Sequence, residues 1–167
     1  ILAKGFAAIE KLPENELVNI MEGFFDGKLF EVVKANNPNA DTKELAMDFL
    51  LYGITAEIFF KDNGFNRGLG GSMHAFFTPF GIYPNNAIVG GSAPISTGSA
   101  LYKKIQKQKG IVVANIGDGS LGCGPVWESI NFSAMGQLKK LWEEGYKGGL
   151  PIIFNFMNNV YGMGGQT

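Results

Sequence analysis

Residues 111–124 read IVVANIGDGSLGCG. The run from Ile111 to Ile116 is short and rich in β-branched residues, which suits a buried strand of a parallel sheet. It stops at Gly117, and a lone carboxylate, Asp118, follows between two glycines. Downstream, PVWESINFSAMGQLKKLWEE (125–144) has helical periodicity. Pro125 suits a first-turn position, and Trp127, Ile130, Ala134, Leu138 and Leu141 are expected inward. PIIFNF (151–156) reads as a second buried strand. Strand, helix and strand predict a right-handed crossover, and with it an α/β fold with a parallel sheet flanked by helices.

Upstream of this unit, Pro94 begins another helical pattern. Ile95, Gly98, Tyr102 and Ile105 are expected to face inward, with Lys103, Lys104 and Lys107 mostly outward. The first third reads as a helical segment. One helix is expected from Pro13 and Glu14 towards Asp26, with Leu17, Ile20, Met21 and Phe24 at helical spacing. A second starts at Asp41, an N-cap with Glu44 three residues on. Leu45, Phe49, Tyr52, Ala56 and Phe59 form its apolar stripe and are expected to be core. Composition changes at Gly64: residues 64–98 are rich in Gly, Pro and Asn but carry many aromatics. A stretch of that length reads as ordered loops lining something. The expected organisation is a helical segment over 1–60, packed as an insertion on an incomplete α/β domain over 61–167.

With 46% apolar and 17% charged residues, the 167-residue chain has the composition of a globular domain. A net charge of −1 argues against nucleic-acid and polybasic membrane partners. No apolar run approaches the ~20 residues of a membrane span. Cys123 is the only cysteine, which rules out a disulfide within the chain and fits a reducing, cytoplasmic setting. The chain starts at Ile1 and stops inside a glycine-rich stretch, so a fragment is expected.

The loops leaving the two strands carry the chemistry. In open parallel sheets, ligands bind beyond the carboxyl ends of the strands. If the strands are neighbours, GDGS (117–120) and MNNVYGMGG (157–165) share an edge, with Asp118 near Asn158 or Asn159. A carboxylate, an amide oxygen and a carbonyl make a hard-oxygen set that suits magnesium. Gly117 and Gly119 would let the backbone approach a phosphate, and the helix near Pro125 could direct N–H groups at the same anion. GDG alone is an ordinary turn, and NN occurs three times; only Asn158–Asn159 follows a buried strand.

GDGS followed by NN resembles the thiamine-diphosphate motif. RGLGGSMH (67–74), AIVGGSAPISTG (87–98) and NNVYGMGG (158–165) narrow the resemblance to the α subunit of the decarboxylating component of 2-oxoacid dehydrogenases of the pyruvate, acetoin and branched-chain type. The resemblance runs from about Ala56 to Gly165. It implies a thiamine-diphosphate-binding fold, with thiamine diphosphate and Mg2+ as cofactors. Asp118 and Asn159 match the metal ligands, and Tyr161 matches the residue giving a backbone carbonyl. Gly119 and Ser120 match diphosphate contacts, with Gly117 and Gly162 in the same loops. Ala87 and Val89 match main-chain contacts to the aminopyrimidine. His74, the only histidine, matches an active-site position near the arriving substrate.

The implied function is oxidative decarboxylation of a 2-oxo acid, with acyl transfer to a lipoyl-bearing acyltransferase. A β subunit, or a β region of a fused chain, would supply the glutamate that activates the cofactor. The 38 residues between Gly119 and Asn158 exceed the family's usual spacing, and residues 136–149 look like the extra piece. The first 55 residues match poorly; ILAKG (1–5) resembles the segment just past the turn that succeeds the family's diphosphate-anchoring arginine. Two alternatives stand beside this reading. One is a transketolase-like or other non-oxidative thiamine-diphosphate enzyme, for which GDGS and NN alone would serve. The other is a dinucleotide-binding domain, because GDGSLG (117–122) satisfies G-x-G-x-x-G, although no acid ends the second strand.

Overall fold

Among the described residues, 2–167 of the computed structural model, four α-helices precede residue 60. These are α1 (Leu2–Lys11), α2 (Glu14–Gly23), α3 (Lys28–Asn36) and α4 (Thr42–Ile58). Ile1, the first residue of ILAKG, lies outside the described residues. The chain turns between α2 and α3 through Phe25 and Asp26, both at positive φ. Asp41 caps α4 as expected: its side chain accepts the Glu44 N–H at 2.9 Å, and the Glu44 carboxylate accepts the Asp41 N–H at 3.1 Å. Two otherwise orphaned donors at the helix start are thereby satisfied.

Helices α1 to α3 all pack on α4. Ile9, Leu17, Met21, Leu29, Val33, Phe49 and Leu50 form the buried centre. Tyr52 and Phe59, expected to be core, are exposed instead. They line a groove of about 510 Å3 with Val33, Asn37, Asp48 and Lys61. The three helices cover one side of α4, so a stripe that continues around its axis is left partly uncovered.

Aromatic residues from beyond Gly64 complete this core. Phe65 and Phe77 stack at 4.4 Å, Phe77 meets Phe80 edge-on at 5.0 Å, and Phe24 sits among them. A 3-10 turn over Thr78–Phe80 is closed by pairing of Phe77 with Ile82. The two compact units run from Ile1 to Asn85 and from Asn86 to Thr167. Composition marks where regular structure stops, whereas these rings decide which core the loop joins.

The second unit holds α5 (Ser92–Ile105), β1 (Val112–Gly117), α6 (Gly124–Ser133), α7 (Gly136–Lys140), β2 (Ile152–Met157), β3 (Tyr161–Gly162) and β4 (Gly165–Gln166). Strands β1 and β2 pair in parallel, from Val112 opposite Ile152 to Gly117 opposite Met157. The short β3 and β4 pair antiparallel in a hairpin. The result is a mixed helix and strand arrangement around a small parallel sheet. Among the described residues no helix is long and apolar enough to cross a membrane.

Three expectations are corrected by the structure. Helix α5 buries Ala93, Thr97, Ala100 and Lys104 rather than Ile95, Gly98, Tyr102 and Ile105. Small side chains let it lie close over β1, where Ser92 Oγ donates to the Asn115 carbonyl at 3.2 Å. Lys104, expected outward, is 7% exposed. Its ammonium donates to the carbonyls of Tyr146 and Gly148 and stands 4.9 Å from the Trp142 ring centre. Next, the single helix expected over 125–144 is two, broken at Ala134 and Met135. Val126, Ser129 and Ser133 face inward, while Trp127, Ala134 and Leu141 are exposed. Trp127 instead donates its indole N–H to the Leu121 carbonyl at 2.6 Å. Finally, neither strand is covered on both faces: Ala114 and Ile116 are buried while Val113, Ile153 and Phe156 are exposed.

Candidate functional site at the carboxyl ends of β1 and β2

The parallel register puts the end of β1 beside the end of β2, so both glycine-rich loops leave the sheet on one edge. After Gly117 the chain forms a 3-10 turn over Asp118–Gly122 and then enters α6. Ser120 Oγ donates to the Gly117 carbonyl at 2.6 Å, which tightens this turn. After β2 the chain bends through Asn158 and Asn159. Asn158 Oδ1 accepts the Val160 N–H at 3.1 Å, and Asn159 Oδ1 accepts the Tyr161 N–H at 3.0 Å. Val160, which follows the pair, has φ +58°, an unusual and costly conformation for a β-branched residue.

The two loops meet. A Cβ on Gly119 would lie 3.1 Å from the Gly162 Cα, so glycine at 119 permits a close approach of one loop to the other. Asp118, 8% exposed, accepts the Thr167 hydroxyl through Oδ2 at 2.7 Å. That hydroxyl holds the Asp118 carboxyl below the usual carboxylate range. Partial burial opposes the shift, and main-chain N–H groups of Gly119, Asp118 and Val160 reinforce it. The Thr167 N–H donates to the Val160 carbonyl at 3.0 Å, which folds the hairpin back onto the aspartate. Val160 and Thr167 were not expected from the sequence to take part. Neither residue type carries a binding signature, and their roles arise from the hairpin.

A third loop lies in the same unit. Ala87, Ile88 and Val89 are exposed ahead of α5. The Asn86 side chain accepts the Ile88 N–H at 3.0 Å, and Gly91 N–H donates to the Ile88 carbonyl at 2.9 Å. At Gly90, φ +79°, a Cβ would lie 2.8 Å from the Cys123 Cβ. The loop carrying Ala87 and Val89 therefore abuts the residue that leads into α6. Three loops thus gather around the start of α6. They bring together Asp118, Gly119 and Gly162 directly, with Asn159 and Tyr161 on the same hairpin loop.

His74 belongs to the other compact unit. Its Nδ1 lies 3.1 Å from the Asn85 carbonyl, which can only accept, so this nitrogen carries a proton, and in the neutral ring Nε2 is the acceptor.

Among the described residues no group of three or more His, Cys, Asp or Glu could hold a metal. A cation at the sheet edge would need mixed oxygens: the Asp118 carboxylate, the Asn159 amide oxygen and a main-chain carbonyl such as that of Tyr161. That donor set fits a hard divalent cation, which often takes only one or two carboxylates.

The Dehydrogenase E1 component family matches residues 45–167. The chain belongs to this family. It is 36% identical over 111 residues to the pyruvate dehydrogenase E1 component subunit alpha of Rickettsia conorii, covering 66% of this chain and 30% of that protein. It is 38% identical over 120 residues to the subunit of the same name from Zymomonas mobilis, covering 69% and 30%. The mitochondrial subunit from Dictyostelium discoideum is 38% identical over 111 residues, covering 66% and 26%. The chain thus spans less than a third of the length of these relatives. The match begins inside α4 and takes in the three loops, whereas α1 to α3 precede it. Membership in the E1 component family replaces the dinucleotide-binding alternative.

Proposed function

We propose that this chain is the α subunit, or the α region of a fused chain, of a thiamine-diphosphate- and magnesium-dependent dehydrogenase. It would decarboxylate a 2-oxo acid oxidatively, with a β partner, and pass the acyl group to a lipoyl-bearing acyltransferase. The observation that carries this reading is the meeting of the two strand-end loops, with Asp118 bound by Thr167 and Gly119 against Gly162. The α/β unit is then part of a thiamine-diphosphate-binding fold. The helices α1 to α3, which precede the matched residues, are an insertion relative to shorter members, and the setting is cytoplasmic.

In this reading Asp118, Asn159 and the Tyr161 carbonyl hold magnesium. Gly117, Gly119, Ser120 and Gly162 serve the diphosphate through the main chain, and Ala87 and Val89 contact the aminopyrimidine. When bound, the cofactor supplies the nucleophilic carbon and the electron sink that decarboxylation needs. The protein's part is placement. With its pKa held down, Asp118 stays ionised at neutral pH and offers a charged oxygen to the cation. The close contact of Gly119 with Gly162 fixes the spacing between the loops. His74 is assigned to the substrate by the family resemblance alone; with its proton on Nδ1, its neutral ring has Nε2 free to accept a hydrogen bond or a proton.

The test uses the full-length protein with its β partner, thiamine diphosphate and magnesium. Decarboxylation of several 2-oxo acids is followed with an artificial electron acceptor, and cofactor affinity by calorimetry. Asp118→Ala is expected to abolish cofactor binding; affinity equal to the parent's would sink the metal assignment. Inactivity on every 2-oxo acid, with transfer activity on ketose phosphates, would favour a transketolase-like enzyme.

A further inference from the structure

Glu57 lies in the last turn of α4 and is fully buried. Burying a carboxylate is costly unless it is hydrogen-bonded, and the C-terminal end of a helix repels negative charge. No ion pair with a cation compensates it among the described residues. Three main-chain donors do so instead. Oε2 accepts the N–H groups of Asn66 at 2.7 Å and Gly68 at 2.9 Å, and Oε1 accepts that of Gly70 at 2.6 Å.

The loop is shaped around this carboxylate. A Cβ on Gly64 would lie 2.6 Å from the Glu57 N, Cα and Oε2. One on Gly70 would lie 3.0 Å from Oε1 and 2.9 Å from the His74 carbonyl. Two relays then reach His74 from Glu57. Gly70, held through its N–H, accepts the His74 N–H on its carbonyl at 3.2 Å. Asn66, also held through its N–H, donates its side-chain amide to the His74 carbonyl. Both main-chain groups of His74 are thus one residue removed from Glu57.

We propose that Glu57 is the positioning residue of the Asn66–His74 loop: its carboxylate gathers three main-chain N–H groups and, through Gly70 and Asn66, sets where His74 stands. The functional half of this assignment rests on the placement of His74 at the substrate side. In Glu57→Gln the amide keeps the volume but turns an N–H2 towards at least one of the three donors. The loop should loosen while α2 and α3 stay as they are.

The experiment uses the full-length protein with its β partner and two readouts. By hydrogen exchange, Glu57→Gln should speed the amides of Asn66, Gly68, Gly70 and His74 at least about tenfold, leaving those of α2 and α3 unchanged. By kinetics, kcat for 2-oxo acid decarboxylation should fall about 10- to 100-fold, the scale of a misplaced group. In a His74→Ala background the same change should cost nothing further, and cofactor affinity should stay at the parent value. Asn66→Ala, which leaves the carboxylate in place, should act in the same direction and also be silent without His74. Unchanged exchange in the loop would overturn the proposal. So would an equal loss of kcat with and without His74, the mark of a general structural defect. Failure of the decarboxylase reading shows separately, as a parent protein inactive on every 2-oxo acid, and the exchange pattern still decides whether Glu57 holds the loop.

Discussion

The helical unit and the sheet-bearing unit use their residues in opposite ways. In the first, rings from distant segments converge: Phe24, Phe49, Phe65, Phe77 and Phe80 interlock, and the glycine-rich loop after Gly64 is tied to a buried carboxylate. In the second, the cores are small, around Ala114, Ile116 and Val126 and around Ala100, Leu138 and Leu150. There much of the ordering is polar and lies in loops: Thr167 on Asp118, Lys104 on two carbonyls, Asn155 on Asn115. One unit derives its rigidity from apolar packing, and the other spends its backbone on presenting oxygens and N–H groups at a sheet edge. Loops ordered by such polar ties leave little room for large apolar side chains to cover them.

Three substitutions test that contrast. Phe49→Ala removes the ring that touches Phe24, Phe65, Phe77 and Phe80, and should destabilise the helical unit by about 3–5 kcal/mol. Denaturant unfolding followed by exchange at α2 and α4 measures it. A loss below about 1 kcal/mol would mean that the ring cluster is not what holds this unit. Lys104→Ala should cost about 1–3 kcal/mol, the scale of hydrogen bonds to a charged group. The effect should appear as faster proteolysis between Trp142 and Gly149. Unchanged cleavage there would contradict the view that polar ties order the second unit.

The smallest effect is expected at an exposed tie. The Glu143 carboxylate, accepting from Lys107 at 2.6 Å, raises the lysine's pKa above its ordinary value, first through the hydrogen bond and then through charge. A raised pKa means the contribution is complete at neutral pH and fades only as pH climbs past the ordinary lysine range. Because both partners are exposed, Lys107→Met should leave the thermal midpoint at pH 7 unchanged within error. A clear drop would show that surface charge matters to this unit in a way its exposure does not foretell.

Where the sequence was legible, the signal was local. The Asp41 cap, the two strands and the loops that leave them rest on neighbouring residues, and all of them form. The inward faces of α5 and α6 depart from the hydropathy pattern, because that pattern favours large apolar residues whereas the close contacts of α5 with β1 and with α6 select small ones. Ala93, Thr97 and Ala100 are quiet in a periodicity scan, and Lys104 is misleading in one. Glu57 was equally silent: a lone glutamate near the end of a helix looks like a solvated charge until the N–H groups around it are seen.

The sequence alone determined that a carboxylate would stand among glycines at the end of a strand, with an Asn pair at the end of the next. Backbone propensity and strand length are local, and they fix such placements without help. Only the tertiary structure decided that Val160 and Thr167 would close on Asp118, that the aromatics after Gly64 would join the helical core, and that Glu57 would hold the loop of His74. Those outcomes depend on which segments meet across long separations, and burial and hydrogen-bond satisfaction are settled only when they do.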